Sequence, residues 1–98
     1  MAVYSIWESY FPPVAAAEGR MVTERIWADM TGFGGYLGHD ILQDLDDSGH
    51  LLVVSRWSSQ SDADDALAEY TEHPNALQVN RLVDRPRRRL LSVKLPHG

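Results

Sequence analysis

Two strands that are apolar on both faces, set in a strand–helix–strand–strand–helix–strand order, constrain this chain more than any other feature. The segment around Ala2–Tyr10 offers Val3, Ser5 and Trp7 to one side and Ala2, Tyr4 and Ile6 to the other. The segment around Leu51–Trp57 offers Leu51, Val53 and Trp57 to one side and Leu52 and Val54 to the other. Successive side chains of a strand point to opposite faces, so both faces of such a sheet need cover. Two or three helices cover one face. The other calls for a second subunit or a large ligand, which points to a homodimer with a pocket between its layers.

The intervening segments supply the helices and the hairpin. Pro12-Pro13 ends the first strand and suits a helix entry. Ala15, Gly19, Val22, Ile26 and Met30 fall on one stripe, which predicts a helix over Val14–Met30 with Trp27 beside the stripe. Thr31-Gly32-Phe33-Gly34-Gly35 stops it. A polar strand over Tyr36–Leu45 suits a sheet edge, with Leu37, His39, Ile41 and Gln43 on one face and Tyr36, Gly38, Asp40 and Leu42 on the other. Asp46-Asp47-Ser48-Gly49 reads as a hairpin loop with Gly49 at positive φ, and His50–Ser58 as the return strand. Ser61 is placed as the cap of a second helix, with Asp64 three residues on and Ala63, Ala66, Leu67 and Tyr70 buried. His73-Pro74 ends or bends that helix, Asn75–Val83 forms a short one, and Arg88–Leu95 is the last strand.

This order is the split βαβ, or ferredoxin-like, α+β arrangement with an antiparallel sheet. Its first and third strands are expected to be central and parallel to each other. Residues 1–98 are read as one such domain. The net charge of −5 argues against a nucleic-acid partner, and no apolar run approaches a membrane span. Without cysteine there is no disulfide, no zinc–thiolate site and no cysteine nucleophile, which fits a cytoplasmic location. Arg85, Arg87, Arg88 and Arg89 read either as an anion site or as a solvated loop. The loop is preferred, because no aromatic residue lies within the run.

Gly35-Tyr36-Leu37-Gly38-His39-Asp40-Ile41-Leu42 resembles the segment after the first helix in antibiotic-biosynthesis monooxygenase domains. Leu52-Val53-Val54-Ser55-Arg56-Trp57-Ser58-Ser59 resembles that family's third strand, and Tyr70 with His73-Pro74 its aromatic-x-x-His-Pro stretch. The resemblance spans nearly the whole chain. It implies a homodimer of the dimeric α/β-barrel superfamily, with a cleft between each sheet and its helices. It further implies oxidation of a hydrophobic aromatic, polyketide-like substrate by O2 without metal, flavin or other cofactor. Cyclisation, isomerisation or plain ligand binding on the same scaffold are the alternatives. The haem-degrading branch is disfavoured: Trp7, Tyr70 and Asn80 stand where it has asparagine, tryptophan and its iron-ligating histidine. Of the quinone-forming branch, Trp57 matches, whereas Val53 and Ala63 replace its asparagine and tyrosine.

Oxygenation of this kind needs an anionic substrate, a dry pocket and aromatic walls. His39 is a candidate base or a half-buried edge histidine. Trp57 could stack on substrate or donate its N–H, or be core. The hydroxyl of Tyr70, on a buried stripe, needs a partner and could serve a substrate oxygen. These three are the catalytic candidates, and Trp7, Trp27 and Tyr36 the substrate-binding ones. His73 is read as capping a helix C-terminus, Arg56 as forming a cross-strand or dimer salt bridge, and His50 and His97 as surface residues.

Overall fold

The computed structural model describes residues 2–96; the expectation for His97 lies outside them. Strands β1 (Val3–Tyr10), β2 (Tyr36–Asp44), β3 (Asp47–Trp57) and β4 (Arg88–Val93) form one sheet in the order β2-β3-β1-β4. A 3-10 turn over Pro13–Ala15 leads into α1 (Ala16–Met30); α2 (Gln60–Tyr70) and α3 (Pro74–Leu82) follow β3. This is the ferredoxin-like α+β fold. Every neighbouring pair is antiparallel, β1 with β3 included, which corrects the expected parallel pairing. The reason is geometric. Helix α1 returns the chain so that β1 and β2 run the same way, and the tight hairpin then reverses β3 before it is laid beside β1.

One face of the sheet carries the core. Ser5 and Ser9 of β1 and Leu51, Val53, Ser55 and Trp57 of β3 are all buried. Val22, Ile26, Trp27 and Met30 of α1, Ala63, Ala66 and Tyr70 of α2, and Ala76 and Val79 of α3 pack into the same cluster. The buried Ser55 hydroxyl is satisfied: Trp57 Nε1 donates to Ser55 Oγ at 3.0 Å, and Ser55 Oγ donates to the Ser5 carbonyl at 3.1 Å.

The opposite face has no helix over it. In register across it lie Val54, Ile6 and Leu90, with Leu52 and Leu42 in the adjoining row. Leu90 is 58 % exposed and Leu42 47 %. One end of this face is charged. His50 Nδ1 lies 2.8 Å from Asp44 and its Nε2 lies 2.8 Å from Glu8, while its ring stacks on Tyr10. The expectation of a plain surface histidine is therefore corrected, because two carboxylates from neighbouring strands hold this ring in place.

Local details also differ from the sequence expectations. The β2–β3 hairpin turns on Leu45 and Asp46 alone, and Gly49 is a strand residue without positive φ. Gly49 is needed for a different reason. Phe11 N donates to its carbonyl at 2.7 Å, and a Cβ at Gly49 would overlap the Phe11 carbonyl oxygen. Positive φ occurs at Gly35 and Gly38. A bulge at Gly38 shifts the register of β2, so Tyr36 joins His39 and Ile41 on the helix side and Leu37 turns outward. Ser59, not Ser61, caps α2, accepting from Asp62 N at 3.1 Å. His73 caps the N-terminus of α3, its Nδ1 accepting from Asn75 N, because Pro74 forces a new helix to start there. Arg56 donates to the Leu37 carbonyl and makes no ion pair among the described residues.

Gly49→Ala should lower stability by about 2 kcal/mol, since backbone has no room to yield; a reduced urea midpoint at unchanged slope checks this. The pair of carboxylates raises the His50 pKa, chiefly through the Asp44 hydrogen bond and then that of Glu8. The hydrogen bond from His50 lowers both the Glu8 and the Asp44 pKa. Stability from protonated His50 is complete below about pH 6.5 and fades as pH rises through its raised folded value. The carboxylates contribute above about pH 4.5 and lose that contribution in acid. His50→Gln should therefore lower Tm by about 4 °C near pH 6, with the gap shrinking toward alkaline pH in a series of thermal melts.

Candidate active site

A cavity of about 610 Å³ lies between the covered sheet face, the three helices and the α3–β4 loop. Strand β1 supplies Trp7. Helix α1 supplies Ile26 and Trp27 and, one turn further on, Met30, all from its buried side. The end of α2 brings Leu67, Tyr70 and Thr71, and α3 brings Ala76 and Asn80. Asp84, Arg85, Pro86 and Arg87 of the loop close one side. The cavity is thus walled by aromatic and aliphatic groups, with its charged groups confined to the loop. That is the composition of a site for a flat apolar molecule with one polar end.

Tyr70 lines the cavity with its hydroxyl engaged by two side chains. It donates to Asp29 Oδ2 at 2.7 Å and accepts from Asn75 Nδ2 at 3.1 Å, and its ring stacks on His73. Burial, with the hydrogen bond to Asp29 second, pushes its pKa up to about 12. Tyr70 therefore keeps its proton across the physiological range and gives it to the hydrogen bond with Asp29.

The sequence-derived candidates divide into two groups. Trp7, Trp27 and Tyr70 line the cavity together. His39 and Tyr36 stand outside it, joined by a 2.5 Å hydrogen bond between the Tyr36 hydroxyl and His39 Nδ1. The His39 ring sits 5.5 Å from that of Trp27, so it touches the cavity wall from behind. Trp57 is 2 % exposed, gives its N–H to Ser55, and borders only a second space of about 20 Å³ beside Trp7 and Trp27.

The preferred reading of the arginine run as a solvated loop is corrected at Arg87, which lines the cavity. Its guanidinium carbon lies 4.6 Å over the Trp7 ring, and Arg85 lies 4.0 Å over Tyr10. The aromatic partners absent from the arginine run come from β1, at the other end of the chain. No local spacing signals that encounter.

No family model matches the sequence, and no curated protein matches it. Solved structures match closely in shape. A crystal structure described as an antibiotic biosynthesis monooxygenase superposes with a TM-score of 0.86 at 16 % identity, covering 96 % of this chain and 99 % of that one. SnoaB, a cofactor-independent oxygenase from Streptomyces nogalater, gives 0.86 at 20 % identity, covering 98 % and 95 %. Rv0793 from Mycobacterium tuberculosis gives 0.81 at 20 % identity, covering 100 % and 99 %. With its sheet order, its one-sided helical cover and these superpositions in agreement, the chain has the fold of the antibiotic biosynthesis monooxygenase structures.

Proposed function

We propose that this chain is a cofactor-independent monooxygenase that oxidises a hydrophobic, polyketide-like aromatic with O2 and works as a homodimer. The observation that carries the reading is the 610 Å³ cavity in which Trp7, Trp27 and Tyr70 meet. The fold it shares with SnoaB supports the same reaction class.

The residues divide the work by position. Trp7 and Trp27 hold the flat ring system and exclude water. Tyr70 turns its hydroxyl from Asp29 to the substrate's ionised oxygen. Burial raises the Tyr70 pKa, so Tyr70 meets that oxygen as a neutral donor and favours the substrate's anion. The electron-rich anion then passes electrons to O2. A ring methylene becomes a carbonyl; one oxygen atom enters that carbonyl and the other leaves as water with both methylene hydrogens. His39 and Tyr36 act as positioning residues that brace Trp27, and Trp57 anchors the floor through Ser55. The uncovered sheet face, with Ile6, Leu42, Leu52, Val54 and Leu90, is the surface on which the second subunit sits.

Turnover of an anthrone should require O2, and labelled O2 should leave one labelled oxygen in the quinone by mass spectrometry. Tyr70→Phe should reduce kcat by about tenfold or more. Equal rates without O2 would move the chain to the cyclase or isomerase class. In sedimentation the protein should run at twice the mass of the chain, and Val54→Lys should release folded monomers.

A further inference from the structure

Four arginines approach the end of the sheet, two of them form ion pairs with carboxylates, and a third faces one across the strands. Arg85 pairs with Asp84 at 3.1 Å. Arg89 pairs with Asp64 at 3.1 Å. Arg88 stands opposite Glu8 in the β1–β4 register. Arg87 has no ion pair among the described residues. Its Nε donates to Asn80 Oδ1 at 3.0 Å, and its two terminal nitrogens make no hydrogen bond to a described residue. Yet Arg87 lies mostly below the surface, in the wall of the cavity, and burial lowers its pKa. A partly buried cation without a counter-charge gives up part of its hydration, and an anion arriving at the same wall offsets that loss.

We infer that Arg87 is the specificity residue of this cavity and selects an aromatic ligand bearing a carboxylate. The inference rests on reading the cavity as a small-molecule site and is independent of the oxygen chemistry. Two features suit it to a planar anion. The Trp7 ring beneath the guanidinium and the Asn80 bond at Nε fix its plane, and the free edge presents parallel N–H donors that match two carboxylate oxygens. Beyond this edge the walls are the apolar side chains of Ile26, Trp27 and Met30, which take the ring system. A ligand with its carboxylate on Arg87 therefore places its rings against Trp27 and beside Tyr70.

The test is a matched pair of ligands, naphthoate and naphthamide, titrated calorimetrically into the intact protein. They differ in charge and hardly at all in shape. The native chain should bind the carboxylate about tenfold or more tightly than the amide, and raising the salt concentration should weaken only the carboxylate. Arg87→Gln should bring the two ligands to the same Kd. Arg87→Lys, which keeps the charge and loses the planar fork, should keep a reduced preference and serves equally if the glutamine variant does not fold. Equal binding of both ligands by the native chain would overturn the assignment of Arg87 while leaving the cavity as a binding site. Failure of both ligands to bind at millimolar concentration would overturn the assignment together with the reading of the cavity.

Discussion

Burial of the Leu51–Val53–Ser55–Trp57 face of β3 beneath the helices holds the rest of this structure in place. Each of those side chains is nearly or wholly removed from water, and the hydroxyl between them is bonded to both Trp57 and the β1 backbone. A polar group in such a position has one arrangement that satisfies it, so it fixes the register of the central pair as well as contributing to the core. With β3 and β1 locked, α1 and α2 are carried at a set height above the sheet.

The cavity follows from that height. The small residues Ala63 and Ala66 are buried against the central pair of strands and let α2 come close to the sheet. Toward β1 and the α3–β4 loop the layers are held apart by Trp7, Trp27 and Tyr70, which stand at its edges rather than filling it. The result is a space with rigid aromatic walls, the kind of preorganisation that binding and anion chemistry both require. The charged groups of the molecule are divided accordingly. Those around His50 lie on the uncovered face, and Arg87 faces the cavity.

The sequence was most readable where the physics is local. Alternation along β1 and β3, the α1 stripe and the proline and glycine stops give the element order, and the order gives the fold. Boundaries shifted where a local rule had a close competitor. Ser59 and Ser61 are both good caps, and only the helix's actual start chooses between them. The bulge at Gly38 exchanges the faces of Tyr36 and Leu37, a change that alternation cannot foresee because one extra residue inverts it. Among the six candidate side chains, periodicity placed each on a face of its element and put Tyr36 opposite His39, where the bulge brings the two together. It did not show which of them share a space.

What the sequence determined by itself, then, is the layered architecture, the two-faced apolar sheet and the lack of cover on one side, because these depend on the repeat of side chains within single elements. The tertiary structure alone decided that Trp7, Trp27 and Tyr70 wall one cavity, that His39 lies beside Trp27 and is bonded to Tyr36, and that Arg87 enters the cavity without an ion pair among the described residues. Those relations join β1, α1, the end of α2 and the α3–β4 loop. They are set by how far apart the packed layers come to rest, a distance fixed by side-chain volumes from every part of the chain at once.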